Sequence, residues 1–240
     1  MKRYKVLITG TSQGIGKALA EKFLSNGHSV IGIDRQQPSI AADSYVHFQC
    51  DLRDFENLPE IDGVEILINN AGTQNEGDID TNLKALIKVT EKYGVRAGIR
   101  SILNIGSASG HTGAEFPEYC ASKGGVIAYT KNVALRVAQY GATCNSLDPG
   151  GVLTPLNECV MNDPVLWAQI MDETPLRRWA TTEEMAKSMV FSEFQAGIMT
   201  DTPWGFRVWF KTISPLSIKL YKIFGFLTSS SSYYHEYSHL

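Results

Sequence analysis

The chain has 240 residues, long enough to bury roughly 70–75% of its unfolded surface around one core, so a single sizeable domain is expected. Its formal net charge is -3 with a pI near 6.0, and its basic residues are dispersed, which excludes an obvious phosphate-neutralising face and with it a nucleic-acid partner. Cys50, Cys120, Cys144 and Cys159 match neither a zinc-site spacing nor a CxxC redox pair, so reduced thiols in a cytoplasmic protein without a metal site are expected.

The chain opens MKRYKVLITG, basic and then apolar, but the apolar run is far shorter than a signal-peptide core and leads into a glycine loop. No run is long enough to span a bilayer at roughly 20 apolar residues, so no membrane partner is expected. Strand-length apolar runs follow in order: YKVLI, SVIGI, VEILIN, SILNIG and ATCNSLDP. Between them lie longer patterns with a period near 3.6, such as IGKALAEKFLSNG and GGVIAYTKNVALRVAQYG, each closing on glycine. Alternation of this kind predicts an α/β fold of Rossmann type, a doubly wound parallel sheet in one domain with ligands at the strand C-terminal ends.

The first strand joins the first helix through TGTSQGIG, with Gly10, Gly14 and Gly16 where a Cβ would obstruct a pyrophosphate. The helix N-terminus behind this loop offers N–H groups and a positive dipole end, an anion site that Ser12 and Ile15 also line. The spacing is G-x-x-x-G-x-G, and an ordinary turn with incidental glycines would explain the loop taken alone. The second strand ends at Asp34, eighteen residues beyond Gly16, where a carboxylate accepts from both hydroxyls of an adenosine ribose and repels a 2′-phosphate. NAD is therefore favoured over NADP, although Arg35 stands next to Asp34, where it would either stack on adenine or weaken that repulsion.

Further on, a serine, a tyrosine and a lysine occur in NIGSASGHTGAEFPEYCASK. Residues four apart on a helix lie about 5–6 Å from one another, which puts Lys123 beside the phenol of Tyr119. One positive charge at about 6 Å and an effective dielectric of about 20 is worth roughly 3 kcal/mol, or about two pKa units off a phenol. Tyr119 then serves as general acid or base near neutral pH. No His–Asp arrangement in the sequence accompanies Ser107, so its hydroxyl reads as a polarising donor to a carbonyl oxygen rather than a nucleophile. Taken singly, these residues read as an exposed helical pair and a turn hydroxyl. His111, in a glycine-rich loop, is given no chemistry.

Six motifs stand in order: TGTSQGIG at 9–16, NNAG at 69–72, IDTNLKA at 79–85, NIGS at 104–107, YCASK at 119–123 and PGGVLT at 149–154. With them the chain resembles the classical short-chain dehydrogenase/reductase family over about residues 4 to 199. The resemblance implies a catalytic tetrad of Asn82, Ser107, Tyr119 and Lys123, with Asn82 bending its helix around a proton-relaying water. It implies adenine contacts at Asp51 and Leu52 after a third strand, and an adenosine-ribose segment at Asn70, Ala71 and Gly72. Tyr119 and Lys123 would meet the nicotinamide ribose, with Pro149, Gly150, Val152 and Thr154 in the nicotinamide-side loop. A small-molecule alcohol or carbonyl substrate and a homo-oligomer follow from the same resemblance.

Three departures stand beside it. Only TQNEGDIDT separates NNAG from Asn82, shorter than the family's usual insertion, which predicts an open substrate mouth. Residues 155–180 occupy the place of a substrate lid and carry Leu156, Val160, Met161, Trp167, Ile170 and Met171, either as packing or as substrate contacts. After residue 200 the expected T-G-x-x-apolar strand is absent, so the chain divides into a catalytic domain at 1–200 and a divergent segment at 201–240. A reading-frame change, a diverged strand such as FRVWF and an appended interaction segment all remain open for that segment. Loss of the usual strand would remove part of a family interface. Two rivals to an NAD-dependent oxidoreductase follow: a dinucleotide-binding sensor or pseudo-enzyme without turnover, and a nucleotide-sugar epimerase or dehydratase, which would need a larger second lobe.

Overall fold

The computed structural model describes residues 2–114 and 116–195, with no side chains beyond Val190. The expectations for 201–240 lie outside the described residues. Among the described residues six strands form one sheet in the order β3-β2-β1-β4-β5-β6. They are β1 (Lys5–Thr9), β2 (Ser29–Asp34), β3 (Tyr45–Gln49), β4 (Ile66–Asn69), β5 (Ser101–Ile105) and β6 (Thr143–Leu147). Every pairing is parallel, and the order reverses direction beside β1, as a doubly wound sheet requires.

The nearly continuous apolar runs reflect burial on both faces. Leu7, Leu67 and Ile102 face one layer, with Val89, Tyr93, Val133 and Val137 packed against them. Their neighbours Val6, Ile8, Ile66, Ile68 and Leu103 face the other, under Leu19, Ala20 and Phe23 of α1 (Gly14–Ser25) and Met185, Ala186 and Met189 of α7 (Thr182–Gln195). Each side chain of a strand thus enters one of two cores, alternating with period two. β3 is the exception. It lies at a sheet edge, half-exposed along its length with Val46 51% exposed, and so lacks the apolar run that marks β1, β2, β4 and β5.

The segment around Asn82 is helical, as expected, but wound differently. Two π-helical stretches, Ile79–Ala85 and Thr90–Gly94, flank the short α2 (Leu86–Val89). A wide turn of this kind offsets the register of the residues it carries and recurs at functional sites. Beyond it come α3 (Ser109–Thr112), the long α4 (Pro117–Val137), α5 (Glu158–Met161) and α6 (Pro164–Glu173).

The described residues divide into two compact units: the sheet with its helices, 2–159 and 180–195, and the segment 160–179. In the latter, Asp163 caps α6 by accepting from the N–H groups of Val165 and Leu166, both at 3.0 Å. Trp167 packs edge-on against Trp179, with ring centroids 4.9 Å apart. That contact gives Trp167 a packing role inside its own unit.

Candidate functional site

The glycine loop is shaped by close approach. Gly14 has a φ of +59°, a left-handed conformation that only glycine adopts freely, and a Cβ on it would stand 3.7 Å from Thr154 Cγ2 of the 149–154 segment. A Cβ on Gly16 would collide with the carbonyl oxygen of Gly10 and the amide of Asn70. Asn70 fixes that approach: its Nδ2 donates to the carbonyls of Thr9 at 3.0 Å and Gly10 at 3.1 Å. The N–H groups of Asn70 and Ala71 both donate to Thr9 Oγ1, tying NNAG to the end of β1.

At the start of α1 the Gln13 N-cap is extended and makes no side-chain cap, and the first turn carries no acidic residue. Its N–H groups and dipole end are therefore available to an anion. Ser12 Oγ is buried and has no hydrogen-bond partner among the described residues, which is costly unless a ligand or water completes it. The Asp34 carboxylate, 9% exposed, accepts from Ser12 N–H and Gln36 N–H, both at 2.9 Å. Its orientation is thus set by the glycine loop itself. An anion-ready helix end, an unfilled hydroxyl and a fixed carboxylate at the end of β2 together fit a dinucleotide.

Asp51, expected at the adenine, pairs with Arg53 two residues on. Arg53 Nε lies 3.0 and 3.1 Å from its two oxygens, and these hydrogen bonds hold the carboxyl below its ordinary range. Leu52 is buried in the core. Gly72 lies against Asn82, whose Oδ1 a Cβ there would approach to 3.0 Å. Val152 is bridged to Ala180, and Leu153 N–H and Ala180 N–H close that bridge on Ala180 and Gly151 carbonyls. Pro149 accepts from Ala108 N–H at 3.0 Å, which joins the loop after Ser107 to the 149–154 segment, and Gly150 follows it.

Of the four positions expected as a tetrad, Tyr119 and Lys123 lie on α4, Asn82 bonds to Ser122 between them, and the loop after Ser107 packs on the same helix. Lys123 is 5% exposed, its Nζ 5.6 Å from the Tyr119 ring centroid and 2.8 Å from the carbonyl oxygen of Ile105, two residues before Ser107. Burial lowers the Lys123 pKa to about 8, against the opposing fields of Asp148 and Asp78. Ser107, 7% exposed, accepts from Ser109 N–H and donates to Ser109 Oγ, both at 3.2 Å. Its loop sits directly on α4: a Cβ on Gly110 would lie 2.7 Å from the carbonyl carbon of Lys123.

Asn82 is pinned by Thr73 and Ser122. Its Oδ1 accepts from Thr73 N–H at 2.7 Å, and its Nδ2 donates to Thr73 O at 2.9 Å and Ser122 Oγ at 3.1 Å. Ser122 in turn donates to the carbonyl of Tyr119 at 2.7 Å. The short loop after NNAG is held by Asp78, fully buried, which accepts from Thr73 Oγ1 at 2.9 Å and Asn75 N–H at 2.8 Å. Sequence reading missed Thr73, Asp78 and Ser122. Ser122 had one signal, its place inside YCASK; Asp78 had its place four residues before Asn82.

Among the described residues no helix is long and apolar enough to cross a membrane, no group of metal-binding side chains forms, and no disulfide joins any of the four cysteines. The family model for short chain dehydrogenase matches residues 4–164. The chain is similar to the 3-oxoacyl-(acyl-carrier-protein) reductase FabG of Haemophilus influenzae, 31% identical over 82% of this chain and 93% of the relative. It is similar to L-xylulose reductase of Bos taurus, 26% identical over 78% and 87%. Among solved structures, a putative 2-deoxy-d-gluconate 3-dehydrogenase from Agrobacterium tumefaciens with bound NADP superposes with a TM-score of 0.74, at 28% identity over 83% of this chain and 93% of that one. A glycine loop and a Tyr–Lys pair seated at the strand ends of one parallel sheet, in a chain matched over most of its length, make it a member of the short-chain dehydrogenase family of oxidoreductases.

Proposed function

We propose that the chain transfers a hydride between NAD(H) and a secondary alcohol or ketone. The observation that carries this reading is the buried Lys123 ammonium, 5.6 Å from the Tyr119 ring and pinned to the β5 strand end. In ketone reduction Tyr119 gives its phenolic proton to the carbonyl oxygen; in alcohol oxidation it takes the hydroxyl proton. Lys123 stabilises the phenolate between those events by its charge. One of its three donors goes to Ile105, which leaves two for ribose hydroxyls and a proton relay. Ser107 donates to the substrate oxygen as charge develops there. Asn82, through Thr73 and Ser122, holds the backbone from which that relay leads to solvent. When bound, the nicotinamide supplies or accepts the hydride.

Asp34 favours NAD. Its buried carboxylate stands where a 2′-phosphate would place a second negative charge, and its remaining lone pairs suit ribose hydroxyls. The NADP in the Agrobacterium neighbour is a property of that protein. Similarity to 3-oxoacyl reductases puts a 3-oxoacyl thioester first among substrates to test, with simple ketones and sugars beside it. Four cysteines without a disulfide suit the cytoplasm, and a homo-oligomer is the expected assembly.

The test is a carbonyl panel assayed with NADH and NADPH separately, alongside cofactor titration. Turnover with the higher kcat/KM for NADH is expected. Tight cofactor binding without turnover of any carbonyl or alcohol would instead make the chain a dinucleotide-binding protein without catalysis.

A further inference from the structure

Asp148 follows β6 and directly precedes Pro149, while His111 lies on α3, four residues after Ser107. His111 Nε2 and Asp148 Oδ2 are 2.7 Å apart, and the two side chains are only 12% and 11% exposed. The other carboxylate oxygen accepts from Ser146 Oγ. Gly106 makes this possible, because a Cβ there would collide with Asp148 Oδ1. Two backbone bonds run in parallel with the pair, Gly106 N–H to Leu147 O at 2.8 Å and Ala108 N–H to Pro149 O at 3.0 Å.

We propose that His111 and Asp148 are positioning residues whose hydrogen bond clamps the Ser107 loop, 106–113, to the nicotinamide-side segment, 147–154. A nearly buried polar pair adds little net stability over an apolar pair of the same shape, so what it contributes is a fixed distance and direction. Here the direction fixed is that of the loop bearing the Ser107 hydroxyl. The two elements that must meet around a substrate carbonyl, its hydrogen-bond donor and the segment beside the hydride carrier, are thereby locked in register. The same carboxylate is also felt by Lys123, where its field opposes the effect of burial. The catalytic consequence rests on the oxidoreductase reading, whereas the clamp is a property of the chain alone.

The experiment compares wild type, His111→Ala, His111→Gln and Asp148→Asn by amide hydrogen exchange without cofactor and by steady-state kinetics. His111→Ala is expected to raise exchange in both 106–113 and 147–154 while leaving α1 unchanged. It should lower kcat about 10- to 100-fold, as a small misplacement of a reacting group does, with cofactor Kd within about threefold. His111→Gln retains a donor near the imidazole Nε2 position and should restore most of both; it also carries the test should the alanine variant fail to fold. Wild-type exchange in the two segments of His111→Ala, or no recovery in a folded His111→Gln, overturns the proposal. If wild type turns over none of the carbonyls, the oxidoreductase reading fails, and the exchange arm still decides the clamp.

Discussion

The two halves of the sheet hold their functional groups by different means. Around β1, α1 and β2 the geometry comes from backbone: glycines that admit close approach, N–H groups aimed at Asp34 and Thr9, and a helix end left uncapped. Around β5, α4 and β6 it comes from side chains bonded to side chains, through Thr73, Asp78, Asn82 and Ser122 on one flank and His111 and Asp148 on the other. A backbone-built site tolerates changes in most side chains near it, whereas each member removed from a side-chain network leaves a partner unsatisfied. Away from Asp34 the nucleotide half should therefore resist substitution, and the catalytic half should lose function in proportion to the bond or charge removed.

Lys123→Met strikes the catalytic half hardest. On the proposed mechanism it removes the charge that makes Tyr119 usable and a ribose donor, so kcat/KM should fall by about 10³-fold or more, with cofactor Kd weakened about tenfold. Parallel kinetics and cofactor titration check both numbers. Loss of binding alone, with kcat kept, would move Lys123 into the nucleotide half.

The same variant sharpens the comparison through stability. Folded Lys123 titrates at about 8, below the ordinary 10.5, because burial disfavours the ammonium. Below about pH 8 both folded and unfolded chains carry the proton, and the folded state bears a cost on the order of 3 kcal/mol. Between pH 8 and 10.5 the folded lysine is neutral while the unfolded one keeps its proton, so this contribution to stability rises with pH. Cofactor-free wild type should gain about that amount on Lys123→Met across the window in urea unfolding. A difference that stays flat with pH would mean the ammonium is not buried.

In the nucleotide half, Asp34→Ala should narrow or reverse the preference for NADH over NADPH by about 10- to 100-fold, with the fold intact. Equal affinity of wild type for the two cofactors would contradict the role given to Asp34. Smallest of all should be Thr73→Val, which leaves Asp78 without one donor: about 1–2 kcal/mol of stability and a severalfold fall in kcat, read by unfolding and kinetics together.

The contrast also governs what the sequence made legible. Gly10, Gly14, Gly16 and Asp34 announce themselves because backbone geometry demands those residue types at near-fixed spacing, and Tyr119 and Lys123 because one helical turn sets their separation. β3 is invisible in the apolar pattern because an edge strand needs no apolar run, and only the resemblance places a strand before Asp51; the π turns at Asn82 are invisible because side-chain pattern does not report winding. His111 and Asp148 are 37 residues apart, and nothing local marks them as partners. Asp78 stands in a short polar loop, where nothing in the sequence marks its burial against Thr73 and Asn75.

The most direct test of the central claim, that Tyr119 is the proton-transferring group in a separately built cofactor site, is Tyr119→Phe with turnover and NADH affinity measured on the same preparation. The predicted result is a loss of kcat of about 10³-fold or more with NADH Kd within about threefold of wild type. Retention of most of kcat, or loss of NADH binding together with turnover, would contradict it.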